Sequence, residues 1–256
     1  MTDRPWKLED VTLADVRRRR YEAAVLPFGA TECHNLHLPY STDTIEAVRI
    51  GEGACEYAWR RGARVALLPA IPYGADRNLM GFPMVINLDQ EILNAIVESV
   101  AASLEKHGVL KMVILNGHGG NEFAACLRSL YGRTKVFVSL CDWWRMIADA
   151  TKEICVNADD HGGEMETSLM KVLAPDLVRM ERADRGRARK PKLNALAKGW
   201  VKITRPFHLM TENCGSGDPS LATAEKGKRL YDVAVERLGS YLVELCAARM
   251  DARFPY

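Results

Sequence analysis

The chain has 256 residues, which suits one large domain with a substantial core, so we expect a single domain over residues 1–256. Its formal net charge of only +2 argues against a nucleic-acid partner, because nucleic-acid-binding proteins normally carry a strong basic excess on one face. The 48% of apolar and 27% of charged residues are typical of a soluble globular enzyme.

Short apolar runs alternate with amphipathic stretches along the chain. In chain order they predict a helix over 11–20, a strand over 23–28, a helix over 42–61, a strand over 65–68, a helix over 89–107, a strand over 109–115, a helix over 121–131 and a strand over 135–140. Strands that alternate with helices predict βαβ units and a mostly parallel sheet that helices cover on both faces, which is an α/β fold.

The cellular compartment is indicated by two features. Residues 1–6 lack the apolar segment of a signal peptide, and no apolar run approaches the roughly 18 residues needed to span a bilayer. The seven cysteines are odd in number, scattered and without a CxxC pair, which favours reduced thiols over a disulfide framework. We therefore expect a soluble cytoplasmic protein with no membrane partner.

The segment from residue 32 to residue 43 concentrates metal-binding side chains. Glu32, His34, His37 and Asp43 lie within twelve positions. Burying like-charged carboxylates together is costly unless a cation neutralises them, and a divalent metal is the usual neutraliser when imidazoles stand beside carboxylates. The alternative interpretation is a surface loop whose histidines only make hydrogen bonds. Cys33 is expected to face away from any metal and into packing, since neighbouring side chains of an extended segment point in opposite directions.

Two further segments favour the metal site. Residues 116–121 follow a buried apolar run, and residues 159–168 lead into a helical pattern; these two segments and the first one hold four of the six histidines. Glycines beside these histidines allow the backbone to turn sharply or to approach a ligand closely. In open α/β sheets, ligands bind beyond the carboxyl ends of the strands, and segments 32–43 and 116–121 both follow predicted strands.

The three segments together resemble the creatininase (creatinine amidohydrolase) family. The motifs stand in family order: GATECHNLHLPYSTD at 29–43, NGHGGN at 116–121, HGGEMETS at 161–168 and a GDP element at 217–219. The resemblance spans residues from about 25 to about 230. It implies a three-layer α/β/α sandwich and a hydrolase centre with two metal ions that cleaves carbon–nitrogen bonds of cyclic or formyl amides.

The resemblance also implies a set of metal ligands. Asp43 is expected to bridge two divalent ions, with Glu32 and His118 completing one site and His34 serving the other. Zinc is our first choice for both ions, with manganese or iron as alternatives, because all three accept mixed histidine and carboxylate ligands.

The second site needs another carboxylate. Creatinine-cleaving members of the family carry it two residues after the NGH histidine, where this chain has Gly120. We predict that Glu164 replaces it, as in relatives that carry NGHGGN, and we keep Glu122 as a weaker candidate because a helix beginning there would turn it away. Glu164 could instead be a first-turn carboxylate that the helix dipole favours.

His161 matches the catalytic histidine of the family. We expect a metal-activated hydroxide to attack the amide carbonyl and His161 to act as general acid and base, protonating the departing nitrogen. The alternative is a hydrogen-bonding partner of a metal ligand. That orienting role we assign to His37, acting on Glu32 or on a metal-bound imidazole.

Substrate contacts are expected from one aromatic and one polar position. Trp143 or Trp144 could flank a flat heterocycle, although adjacent tryptophans also commonly divide between core and surface. Residues 75–85 lack a histidine found in many relatives, so Asn78 or Arg77 is expected to supply the polar contact. We expect a small cyclic amide or a formamide as substrate. A metallopeptidase that trims a short peptide, or a metal-binding protein without turnover, remains an alternative.

A long connection over residues 182–207 combines a basic run with apolar side chains. A connection of this length is unusual in a compact domain unless it is functional, and its apolar residues would be costly to leave in water. Relatives assemble as homo-oligomers, hexamers among them. We therefore expect the connection to lie at a subunit interface and to close over a neighbouring active site, with an intramolecular lid as the alternative.

Overall fold

The computed structural model describes residues 4–157 and 159–256; the first three residues of the N-terminal segment considered above lie outside it. A four-stranded sheet forms the centre, with its strands in the order β2-β1-β3-β4. The strands are β1 (Ala23–Phe28), β2 (Val65–Leu67), β3 (Lys111–Asn116) and β4 (Phe137–Asp142). All three pairings are parallel. The predicted parallel sheet is therefore confirmed.

Helices connect and cover these strands. They are α1 (Leu13–Val16), α2 (Thr42–Arg60), α3 (Gln90–Lys106), α4 (Phe123–Leu130), α5 (Trp143–Met146), α6 (Ala148–Ile154), α7 (Glu164–Leu173), α8 (Asn194–Ala197), α9 (Phe207–Met210) and α10 (Ala224–Ala247). Single 3-10 turns lie at Leu8–Asp10, Pro175–Leu177, Met180–Arg182 and Pro219–Leu221. A small antiparallel pair joins β5 (Asp159–His161) to β6 (Ser216–Gly217).

One face of the sheet packs against α2 and α10. Val25 of β1 and Val113 of β3 are neighbours in the parallel register and belong to the same buried cluster as Ile50 of α2 and Leu238 of α10. Because successive side chains of a strand point to opposite faces, the residues next to these valines must face the other layer.

The opposite face packs against α3 and α4. Leu26 and Ile114, which follow the two valines in their strands, form a second buried cluster with Val97 of α3 and Phe123 of α4. Helices therefore cover both faces of the sheet, which confirms the three-layer α/β/α sandwich. Within residues 4–157 and 159–256, no helix combines the length and the apolar character that crossing a membrane requires.

The parallel arrangement sets the position of the polar segments. β1 ends at Phe28 and β3 ends at Asn116, and these two residues are opposite each other in the sheet register. The segments that follow both strands therefore leave the sheet at the same edge. α2 begins at Thr42, so the end of the first segment lies in the first turn of a helix that is packed on the sheet.

Candidate metal centre

Four of the predicted ligands meet at the carboxyl edge of the sheet. Glu32 and His34 lie after β1, Asp43 lies in the first turn of α2, and His118 lies just after β3. Each of these residues is at most 5% exposed. Two carboxylates and two imidazoles are thus buried in one small volume, as the sequence predicts.

The carboxylate of Asp43 lies between the two imidazoles. Its Oδ1 atom is 2.8 Å from Nε2 of His34, and its Oδ2 atom is 2.9 Å from Nδ1 of His118. Glu32 approaches His118 on the same side, with Oε1 2.9 Å from Nδ1. One carboxylate that offers an oxygen to each of two neighbouring groups has the geometry of a bridging ligand.

Glu166 supplies a carboxylate on the His34 side. Its Oε1 atom is 3.8 Å from Nε2 of His34, and together with Asp43 the two residues form a group whose ligand atoms could hold one ion. The backbone N–H of Gly162 donates a hydrogen bond to Oε2 of Glu166. Gly162 has a φ of 65°, a conformation that glycine adopts without strain, so this tight turn fixes Glu166 at the start of α7.

Glu164 does not join this group, which corrects the prediction that it completes the second site. Its carboxylate pairs with Nζ of Lys226 at 2.5 Å and accepts hydrogen bonds from the backbone N–H groups of Val156 and Asn157. Two positions along a helix rotate a side chain by roughly 200°, so Glu164 and Glu166 face opposite sides of α7. Glu164 therefore holds α7 against α10.

The segment after β3 does not supply the carboxylate either. Glu122 is exposed and precedes α4, as the sequence predicts for the weaker candidate. A Cβ atom at Gly120 would lie 2.3 Å from Nε2 of His118 and 2.4 Å from the carbonyl oxygen of Ala75, so no side chain fits at this position.

A further buried carboxylate, Asp76, stands beside His118. Its Oδ1 atom is 3.0 Å from Nε2 of His118, on the far side of the ring from Glu32, and Asp76 is fully buried. Asp76 could not be predicted from the sequence because it belongs to an irregular loop without periodicity. Glu164 and not Glu166 was the predicted ligand, because spacing after His161 does not show which side of a helix faces the site.

Several buried atoms of the cluster lack a hydrogen bond within the described residues. These atoms are Oε2 of Glu32, Nε2 of His34 and Oδ2 of Asp43. The His34 and Asp43 atoms approach their neighbours closely without hydrogen-bond geometry, as atoms that converge on a shared cation do. Buried polar groups are otherwise nearly always satisfied, so the residues present fit divalent metal ions.

The pKa shifts in the metal-free cluster also indicate that positive charge is needed there. Burial raises the pKa of Glu32 well above its usual range, against the opposing effect of His118. Burial also opposes ionisation of Asp43, but the two imidazoles outweigh it and lower the pKa of Asp43. Burial likewise disfavours protonation of His34 and His118, yet the carboxylates around them raise the pKa of both rings. In the absence of metal, protons on Glu32 and on the two imidazoles thus balance the negative charge of the cluster.

His161 lies at the end of β5, beside this cluster, and with Glu32 and His34 it forms a further group whose ligand atoms could hold an ion. Its Nε2 atom is 2.7 Å from the carbonyl oxygen of Cys33, which can only accept, so Nε2 carries the proton. Its Nδ1 atom is 3.9 Å from Oε1 of Glu32, and its ring lies 4.0 Å from that of His34. Burial, reinforced by the charge of His34, lowers the pKa of His161 well below its ordinary value. His161 therefore presents a neutral ring with a free lone pair.

His37 occupies a different position from the one predicted. Its Nε2 atom lies 2.8 Å from Oγ1 of Thr167 in α7, rather than against Glu32 or a ligating imidazole. Burial lowers the pKa of His37 to about 4, so its ring is neutral at pH 7. The residue therefore braces α7 one position after Glu166.

A cavity of about 850 Å³ opens onto the cluster. Both predicted tryptophans line it, but Trp143 is 1% exposed and packs into the core, so Trp144 is the better placed for contact with a substrate. Asn78 also lines the cavity, and its side-chain amide donates to the carbonyl oxygen of Arg205. Arg77 lines it too and pairs with Asp89.

The long connection over residues 182–207 reaches the same cavity. Its residues 202–205 line the wall together with Phe207, the first residue of α9. Phe207 also packs into a small buried cluster with Cys33 and contacts the ring of His161 edge-on, with 5.1 Å between ring centroids. The connection therefore covers the site of its own chain, and Cys33 lies in apolar packing.

Comparisons with known proteins identify the family of this chain. The sequence profile of the Creatininase family, described as creatinine amidohydrolase, matches residues 9–242. A mycofactocin precursor peptide peptidase from Mycobacterium tuberculosis is 30% identical over 219 residues, which cover 83% of this chain and 81% of the relative. The creatinine amidohydrolase of Pseudomonas putida is 27% identical over 265 residues, which cover 92% of this chain and 97% of that enzyme.

Solved structures indicate the same family and fold. A crystal structure from Bacteroides fragilis, provisionally described as a creatinine amidohydrolase, superposes with a TM-score of 0.93 at 33% identity and covers 98% of this chain and 100% of its own. A creatininase in its Mn form and a mutant creatininase of the Zn–Zn type share the fold, with TM-scores of 0.78 and 0.77 at 22% and 24% identity; each covers at least 94% of this chain and 98% of its own. The chain belongs to the creatinine amidohydrolase family.

Proposed function

We propose that this protein is a two-metal hydrolase that cleaves the carbon–nitrogen bond of an amide. The observation that carries the proposal is the carboxylate of Asp43, which offers one oxygen to His34 and the other to His118 inside a buried cluster. Membership of an amidohydrolase family supports the reaction class.

Each half of the cluster offers a separate ligand set. Glu32, Asp43 and His118 would hold one ion, since Nδ1 of His118 lies 2.9 Å from an oxygen of each carboxylate. His34, Asp43 and Glu166 would hold the other. Zinc remains our first choice because imidazole and carboxylate are among its common ligands, with manganese or iron as alternatives. The Mn and Zn–Zn forms of related creatininases support the first two metals.

Two divalent ions at such a site, when bound, make a water more acidic and polarise an amide carbonyl. The protein's own contribution to proton transfer falls to His161. Nε2–H of His161 donates a hydrogen bond to the carbonyl oxygen of Cys33, which fixes the tautomer. Nδ1 is therefore free to take a proton from water and to return it to the departing nitrogen. The lowered pKa of His161 keeps the ring neutral, which is the state required of a base.

The cavity bears on the size of the substrate. A volume of about 850 Å³ lies in the upper part of the range for drug-sized ligands, and is generous for a small cyclic amide or formamide. It therefore favours a second candidate alongside the small amide, namely a short peptide that is trimmed at a peptide bond. The similarity to a mycofactocin precursor peptide peptidase supports this candidate.

The role of His161 can be tested with His161→Gln. We expect kcat to fall by about 10²- to 10⁴-fold, the usual contribution of general acid–base catalysis, while the metal content stays at the wild-type value. His107→Gln, at an exposed histidine just after α3, is the matched control and should keep full activity. Loss of metal from His161→Gln would instead identify His161 as a ligand.

The substrate class can be tested by assaying metal-loaded protein against cyclic amides, formamides and short peptides in parallel. The proposal predicts hydrolysis in at least one class, loss of activity after chelation and recovery after zinc or manganese is restored. Release of a terminal residue from peptides alone would select the peptidase candidate. Metal-loaded protein without activity on any of the three classes would contradict the proposed function.

A further inference from the structure

Asp76 is a buried carboxylate that the proposed ligand sets do not use. It is fully buried, and neither of its oxygens meets hydrogen-bond geometry with a group of the described residues. Its near neighbour is the ring of His118, whose Nε2 lies 3.0 Å from Oδ1 of Asp76 and 3.5 Å from the carbonyl oxygen of Ala75. Burying a carboxylate in such surroundings costs free energy unless a neighbouring group stabilises its charge.

The loop that carries Asp76 is held firmly in place. The backbone N–H of Asp76 donates to Oδ1 of Asn87, and the N–H of Ala75 donates to Oδ1 of Asn121. The carbonyl of Asp76 accepts a hydrogen bond from the N–H of Leu79. The position of the carboxylate is therefore set by several backbone contacts before any metal binds.

Two glycines allow this loop and the segment after β3 to close around the ring of His118. A Cβ atom at Gly74 would lie 2.8 Å from Cδ2 of His118, and a Cβ atom at Gly120 would lie 2.3 Å from its Nε2. Both distances are too short for an ordinary side chain. The ring is therefore enclosed on the side that faces Asp76, with Nδ1 directed towards Glu32 and Asp43.

We propose that Asp76 is a positioning residue that accepts the Nε2 proton of His118 in a hydrogen bond and so keeps Nδ1 as the metal-binding atom. An imidazole with one nitrogen on a metal usually donates its other N–H to a carboxylate or carbonyl, which fixes the tautomer and strengthens the ligand. Asp76 would occupy this role from the loop after β2. The inference rests on the proposed metal centre. It assigns a role to a carboxylate near His118, where Gly120 itself leaves no room for a side chain.

The test compares Asp76→Ala with Asp76→Asn. Zinc affinity is measured by competition with a chromogenic chelator, and nitrogen-15 NMR of histidine-labelled, zinc-loaded protein shows which ring nitrogen of His118 carries the proton. We expect Asp76→Ala to weaken zinc binding about ten- to a hundredfold. Asp76→Asn, whose amide oxygen can still accept from Nε2, should lose less affinity and keep the wild-type NMR pattern.

Glu91→Gln is the control, because this exposed carboxylate of α3 lines the same cavity but belongs to none of the candidate metal groups of the described residues. It should leave zinc affinity unchanged. Unaltered affinity in Asp76→Ala, or a wild-type protein whose His118 binds zinc through Nε2, would overturn the assignment while leaving the proposed function intact. Wild-type protein that binds none of zinc, manganese and iron would overturn both. If Asp76→Ala fails to fold, the NMR pattern of the wild type and of Asp76→Asn still decides the outcome.

Discussion

Glu164 and Glu166 are two positions apart in α7, yet they have different partners. Glu166 approaches His34, whereas Glu164 pairs with Lys226 of α10. Both are acidic residues in the first turn of a helix, where the dipole favours negative charge, so local sequence does not distinguish them. Only the rotation of α7 about its axis relative to the sheet distinguishes them.

Glu166→Gln and Glu164→Gln therefore form a matched pair. We expect Glu166→Gln to reduce the metal content from about two ions per chain to about one, because the His34 side loses its second carboxylate. Glu164→Gln should keep both ions but lower the free energy of unfolding by about 1–3 kcal/mol, since it weakens hydrogen bonds to a charged group. Metal analysis and denaturant unfolding of both variants are the measurements, and the opposite pattern would restore Glu164 as the ligand.

At the residue scale, the sequence identifies most of the cluster. Glu32, His34, Asp43 and His118 are predicted and lie together, because each sits at a fixed distance from the end of a strand or the start of a helix. Asp76 could not be predicted in the same way. Its place depends on tertiary hydrogen bonds that the backbone N–H groups of an irregular loop donate to the side-chain oxygens of Asn87 and Asn121.

At the scale of elements, apolar runs locate the strands well. Predicted strand 23–28 coincides with β1, and predicted helix 42–61 ends one residue beyond α2. The predicted helix over 11–20 is shorter in the structure, where it covers Leu13–Val16 behind a Thr12 capping box. Four consecutive arginines follow Val16, so no apolar residue is present to continue a packed face.

The contact between α7 and α10 depends on Gly227. A Cβ atom there would lie 1.8 Å from the carbonyl oxygen of Ser168, which is a backbone atom of α7 and cannot move aside cheaply. Gly227→Ala should lower the free energy of unfolding by about 1–3 kcal/mol, even though alanine favours a helix over glycine by about 1 kcal/mol.

Denaturant unfolding of Gly227→Ala is the measurement. Glu236→Ala, at an exposed position of the same helix, should stay within about 0.5 kcal/mol of the wild type. A Gly227→Ala variant that is more stable than the wild type would mean that α7 and α10 can move apart to make room for the methyl group without a cost in free energy.

At the scale of the whole molecule, the connection over residues 182–207 leaves large apolar side chains in water. Leu193, Trp200, Val201 and Ile203 are each more than half exposed. Such an apolar surface is usual at an interface and unusual on a monomer. The homo-oligomer expected from the sequence thus remains a prediction, and this surface is where we expect subunits to meet.

Trp200→Glu should shift the protein from an oligomer towards the monomer in multi-angle light scattering, because a charge would replace an aromatic ring in the contact. Tyr131→Glu, at a fully exposed aromatic residue after α4, is the control and should leave the mass unchanged. A wild-type protein that is monomeric and active would mean that the connection serves only as a lid over its own cavity.

Metal content in wild-type protein and in Asp43→Ala tests the central claim, which is that one carboxylate joins two metal sites. After loading with zinc and removal of excess metal, the wild type should hold about two ions per chain and Asp43→Ala should hold close to none, since both sites lose a ligand. Glu122→Gln, at the exposed carboxylate before α4, should retain two. An Asp43→Ala variant that is folded and still binds two ions, or a wild type that saturates at one, would contradict the account.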